Sequence, residues 1–194
     1  MTETPAQEFR DVAGRFGDIV AGVRPDQWDD PSPVKEWTAR DVVRHVVEWF
    51  PPFLSSGAGI DLAPGPSVDD DPAGAWRNLY DEVLALLEDP EAERRVLSNP
   101  HIGEVPLPRA VSQFFTGDVF MHTWDLARAT GQDDTMDADR CAVMLAGMED
   151  YEDAMRSSGQ YGPRFEVPDD ADVQARLLGF VGRDPAWTPD PSVI

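Results

Sequence analysis

The sequence predicts an all-α protein, a helical bundle built as one domain over residues 1–194. Apolar residues recur at three- and four-residue spacing in four long segments, the helical period. Alternating strand-like patterns are scarce. A chain of 194 residues with 41% hydrophobic and 27% charged residues can bury one substantial core. Four long amphipathic helices with shorter appendages argue for a bundle rather than a layered α/β fold.

Taken in order, Phe9, Val12, Ala13, Phe16, Ile19, Val20 and Val23 mark a first helix over about residues 5–22. The next stretch, "RPDQWDDPSPVKEW", is too rich in Pro and Asp to be helical. Thr38 and Asp41 form a capping box, with Asp in the place of the usual Glu, that opens a second helix in "TARDVVRHVVEWF". The Pro51-Pro52 pair is expected to end or kink it. Residues 55–72 read as loop, the most mobile internal segment. Asp71 as N-cap and Pro72 at the first helical position start the third helix, lined by Trp76, Leu79, Tyr80, Val83, Leu84 and Leu87. A short helix at "EAERR" and a hairpin-like excursion at "VLSNPHIGEVPL" follow. The fourth long helix runs from Pro108 to Thr130, with Gly131 as the residue that ends it. A fifth spans about 137–156, and "DDADVQARLLGFVG" gives a short sixth.

The bulk charge excludes some functions. A formal net charge of −21 repels phosphate backbones and anionic membrane surfaces, so no nucleic acid and no membrane is expected as partner. No apolar run reaches the roughly 18 residues of a transmembrane helix, and "MTETPAQEFR" lacks a signal-peptide pattern. The single cysteine, Cys141, fits a reducing, cytoplasmic setting and reads as a core residue.

One anomaly carries chemistry. At about 100° per residue, Asp118, His122 and Asp125 fall on the same stripe of the fourth helix as Val111, Phe114, Phe115 and Ala129. Polar groups buried without partners cost several kcal/mol, so something must satisfy them. The second helix repeats the pattern: His45 lies in the seam formed by Val42, Val46 and Trp49. A lone His on such a face is more often a hydrogen-bonded core residue than a ligand, and an Asp-x-x-x-His pair is usually a local charge pair. Together, His45, Asp118 and His122 form a three-ligand set that leaves a coordination position open, as in catalytic zinc sites. Asp125 then either orients His122 from behind or contacts a neighbouring helix end or loop amide. Trp37, Trp49 and Trp124 either wall a pocket at this site or are plain core. His101, in a Pro/Gly-rich loop, is expected at the surface.

Three runs, "VRPDQWDDPSPVKEWTARDVVRHVVEW", "GDVFMHTWDLARATG" and "LLGFVGRDPAW", resemble the DinB-like superfamily. Within it they resemble the actinobacterial branch that contains the N-terminal, metal-binding domain of mycothiol-dependent maleylpyruvate isomerases. The resemblance extends from the first helix to Trp187. It implies a DinB-like four-helix bundle with additional C-terminal helices, holding a divalent metal, usually zinc, at one end of the core. Its ligand positions match His45, Asp118 and His122. In the isomerase the residue matching Asp118 is a glutamate, and Val34 stands where a cysteine is usual. No counterpart of the isomerase's separate C-terminal domain is seen. The implied function is zinc binding with mycothiol as cosubstrate, the metal activating the thiol for transfer to, or isomerisation of, an electrophilic small molecule. Two alternatives stay open: a non-catalytic metal-binding bundle, and a non-haem iron protein using the same two-His-one-carboxylate set. A monomer or homodimer is expected.

Overall fold

The computed structural model describes residues 3–157 and 161–189. Its elements are α1 (Pro5–Gly22), α2 (Ala39–Ala58), α3 (Pro72–Glu88), a 3₁₀ turn (Ala92–Arg94), β1 (Val96–Asn99), β2 (Gly103–Pro106) and α4 (Leu107–Ala110). A π-helical segment (Val111–Thr116) then leads into α5 (Gly117–Thr130), followed by α6 (Ala138–Glu149), α7 (Glu152–Ser157) and α8 (Val173–Phe180). Among the described residues the fold is all-α apart from the antiparallel β1–β2 hairpin. α1 packs on α3 and α5, α2 packs on α5 and α3, and α6 packs on α8.

Local chemistry starts the helices. Thr4 and Gln7 make a capping box on α1, Thr38 and Asp41 make one on α2, and Asp71 caps α3 with Pro72 at its first position. Tertiary burial holds them. α1 presents Phe9 and Phe16 to the core, where Phe9 stacks on Tyr80 and Phe115 and Phe16 meets Trp76 edge-on at 4.6 Å. Phe50 of α2 stacks on Phe115 at 4.1 Å and 12°, tying α2 to the π-helical segment. α5 is buried on most of its circumference: Val119, Leu126 and Ala127 are fully enclosed, as is Trp124. That is the condition of a central rather than a surface helix.

The structure corrects four details of the sequence reading. α2 does not end at Pro51-Pro52 but continues to Ala58, where Gly59 in the left-handed region closes it. An interior proline costs about 3 kcal/mol or more. Phe50 and Leu54 flank the pair, fully buried, and their burial favours continuing the helix against that cost. The fourth long helix is continuous from Leu107 to Thr130, but six of its residues are π-helical, with the Gly117 amide reaching the carbonyl of Ser112. The fifth helix divides at Asp150-Tyr151, because its apolar period lapses there and Tyr151 is left exposed. The segment after α2 is also less free than its composition suggests. Val68 is buried, Arg40 holds the carbonyls of Val68 and Asp69, and Ala63 is fixed by Asn78 and Glu82 of α3.

Candidate metal centre

The site forms where α2 crosses α5. The loop before α2 is tightly set: the Ser32 amide donates to the Trp37 carbonyl, and the Trp37 amide donates to that of Val34. Glu36 takes a left-handed φ of 68°, rare for a residue with a side chain. This geometry lays the Trp37 ring over both imidazoles, 5.0 Å from His45 and 5.8 Å from His122 between centroids. Two turns into α2, His45 points at α5 and meets Asp118 and His122, which stand one helical turn apart.

His45 Nε2 lies 3.3 Å from Asp118 Oδ2, and His122 Nε2 lies 3.5 Å from Asp118 Oδ1. One ligand atom from each residue lies within 4.8 Å of the others. Two atoms bound at zinc's usual 2.0–2.1 Å in a tetrahedral shell stand about 3.3–3.4 Å apart, so the donor set fits a single divalent ion. The Trp49 indole N–H donates to Asp118 Oδ2 at 2.8 Å. Behind the site, His122 Nδ1 lies 2.9 Å from Asp125 Oδ2. A carboxylate only accepts, so Nδ1 carries the hydrogen and Nε2 faces Asp118. Asp125 is 1% exposed and is gripped on both oxygens by Arg183, Nε to Oδ1 at 2.9 Å and Nη2 to Oδ2 at 3.0 Å.

Electrostatics follow from this packing. Burial works against a charged His122, but the Asp118 carboxylate and the hydrogen bonds to Asp118 and Asp125 outweigh it and raise its pKa to about 9. Burial opposes the charges of Asp118 and Asp125 as well. The two imidazoles hold Asp118 below the ordinary carboxylate range, and Arg183 with His122 does the same for Asp125. Tyr161, half-buried, has its pKa pushed up by burial and by the Asp118 charge. The site opens outward through a depression of about 530 Å³ lined by Glu36, Trp37, Arg44, His45, Glu48 and Trp49.

The sequence-predicted residues are thus found as follows. His45, Asp118 and His122 converge, and Asp125 contacts both His122 and Arg183, which follows the end of α8. Trp37 and Trp49 flank the imidazoles, whereas Trp124 is 1% exposed and lies in the core under Arg128. His101 is exposed in the hairpin turn. Cys141 is buried, and burial with the charges of Asp137 and Asp172 pushes its thiol up to about 11, the behaviour of an unreactive core residue. Sequence reasoning missed Arg183 and the donor role of Trp49. The "GRDPAW" run was the only signal for Arg183, and it named no partner.

The family model described as the mycothiol maleylpyruvate isomerase N-terminal domain matches residues 9–127. Uncharacterized proteins of Mycobacterium tuberculosis, one from strain CDC 1551 / Oshkosh and one from strain H37Rv, are each 30% identical over 168 residues, covering 84% of this chain and 83% of theirs. No solved structure matches the chain. The matched family span contains His45, Asp118, His122 and Asp125 and stops short of Arg183.

Proposed function

This chain belongs to the mycothiol maleylpyruvate isomerase N-terminal domain family, and on that premise we propose that it is a zinc-dependent protein acting on a small-molecule thiol such as mycothiol. The observation that carries the proposal is the convergence of His45, Asp118 and His122 from two helices within 4.8 Å, beside an open depression. The family supports a metal-binding, mycothiol-related role; the proposal adds zinc as the metal, thiol transfer or isomerisation as the chemistry, and these three residues as the ligands.

His45, Asp118 and His122 would hold the ion. A divalent metal with an open position supplies Lewis acidity, which deprotonates a coordinated thiol at neutral pH. The chain's own residues do the rest. Asp125 keeps the hydrogen of His122 on Nδ1, so that Nε2 is presented to the site. The Trp49 N–H fixes one oxygen of Asp118. Trp37 packs against both imidazoles at the edge of the depression. The cosubstrate would enter past Arg44 and Glu48.

Metal analysis of the purified chain should give one zinc per chain, and His122→Ala should abolish stoichiometric binding while leaving a helical fold. Stoichiometric iron instead would favour the non-haem iron reading. Mycothiol with a generic electrophile such as chlorodinitrobenzene then separates enzyme from binder: zinc-dependent thioether formation supports catalysis, and none with the loaded protein argues for a binding module. Zinc retained in full by His122→Ala would refute the site.

A further inference from the structure

Beyond the matched family span, the chain returns to the site at one point. α8 ends in a Schellman motif: the Gly182 amide donates to the Gly179 carbonyl and the Arg183 amide to that of Leu178. The motif requires a left-handed residue, and Gly182 supplies it at φ 87°. A Cβ there would meet the Pro163 carbonyl at 2.8 Å, so the position tolerates only glycine. This turn aims Arg183 into α5. One turn along α5, Arg128 donates to the carbonyls of Pro185 and Trp187, holding the following residues down. The whole "GRDPAW" run is therefore docked on the helix that carries Asp118 and His122.

We propose that Arg183 is a positioning residue of the metal centre: it fixes the Asp125 carboxylate, which fixes His122, so that a segment 58 residues away from Asp125 sets metal affinity. The inference rests on the metal reading above. Asp125 is almost fully enclosed, and a carboxylate so placed keeps its charge and orientation only against a cation. Arg183 meets both oxygens in the paired geometry of a guanidinium fork, which locks the carboxylate plane. Asp125 Oδ2 is shared between Arg183 and His122 Nδ1, so loss of the fork frees the carboxylate to turn away from the imidazole. A lysine keeps the charge and loses the fork.

The test uses the full chain, stripped of metal and titrated with zinc against a chromophoric chelator, with circular dichroism as the check on folding. Arg183→Gln is expected to weaken zinc by about 10–100-fold, the range for losing groups that orient a ligating histidine. Arg183→Lys should fall between it and wild type, and it decides the question if the glutamine variant does not fold. Cobalt loaded in place of zinc should show an altered d–d absorption in Arg183→Gln. In an Asp125→Asn background, Arg183→Gln should add little further loss, because it acts through that carboxylate. Arg128→Gln, which releases the same segment without touching Asp125, should stay within about threefold of wild type, below the range for orienting groups. Wild-type affinity in both Arg183 variants would overturn the inference alone, as would equal losses in Arg128→Gln. A wild-type chain that takes up no metal would overturn the metal reading and this inference with it.

Discussion

Raising the pH of the metal-free protein should remove a defined part of its stability. In the folded chain the His122 pKa stands at about 9, against 6.5 for a free imidazole. The folded state thus binds a proton that the unfolded chain gives up between those values. At about 1.4 kcal/mol per pH unit, this is a stabilisation of roughly 3 kcal/mol. It is complete below pH 6.5, where both states are protonated, and is lost as pH rises through about 9. The carboxylates of Asp118 and Asp125, both held low, are charged throughout this window and do not contribute to the slope. The assay is urea unfolding of chelator-stripped protein at intervals between pH 6 and 9.5, followed by helical circular dichroism. His122→Asn, which has nothing to titrate at that position, serves as control and should lack the His122 part of the fall, keeping only the small part that the raised Cys141 thiol adds near the top of the range. The zinc-loaded protein should lack the His122 part too, since a metal then occupies the nitrogen that a proton would hold. Below pH 9 the ion must displace that proton, so apparent zinc affinity should climb by up to about tenfold per pH unit. A wild-type chain equally stable at both ends of the range, or a control that falls as steeply, would refute the reasoning.

Other perturbations follow from the same contacts. Trp49→Phe keeps the ring contacts with Phe50, Phe53 and Phe115 but removes the indole N–H from Asp118, and should cost about 1.5–3 kcal/mol in urea unfolding; no measurable shift would mean that Asp118 needs no such donor. Phe50→Ala opens a cavity against Phe115 and should cost about 3–5 kcal/mol, read as a lower thermal midpoint, with a much smaller loss contradicting the packing. Asn78→Ala releases the Ala63 carbonyl and should speed proteolytic nicking between Gly59 and Pro66, detected by mass spectrometry of the first fragments; an unchanged cleavage rate would show that the segment is not restrained there.

The legible parts of the chain were those written in local chemistry. Phe9 to Val20 fixed α1 by period, and Thr38, Asp41, Asp71 and Pro72 marked two helix starts by capping. The polar residues on apolar faces were visible because helical geometry alone places His45 in one seam and Asp118 with His122 in another. What was not visible depends on distance in sequence or on a change of period. Arg183 pairs with a residue on another helix, and no spacing rule links them. Pro51 and Pro52 carry a true local signal to stop, overridden by the burial of Phe50 and Leu54. The π-helical turn has no composition of its own in "VSQFFT", and a wheel drawn at one constant angle runs straight through it.

That turn bears on how this protein's history is read. A π-helical stretch accommodates one residue more than an α-helix would over the same rise, and such bulges gather at functional sites. The surplus residue lies between the hairpin and Asp118, so it is absorbed within that turn and not passed along the rod. Removing one residue from Val111–Thr116 would restore a regular α-helical turn and leave both flanks on their present faces, with Asp118 and His122 still toward His45. Relatives compared along this helix should therefore show their single-residue gaps within that stretch and an unbroken register from Gly117 onward. A lineage that lost the extra residue would have to repack only the side chains of that turn, Phe115 among them, while inheriting its donor set unaltered.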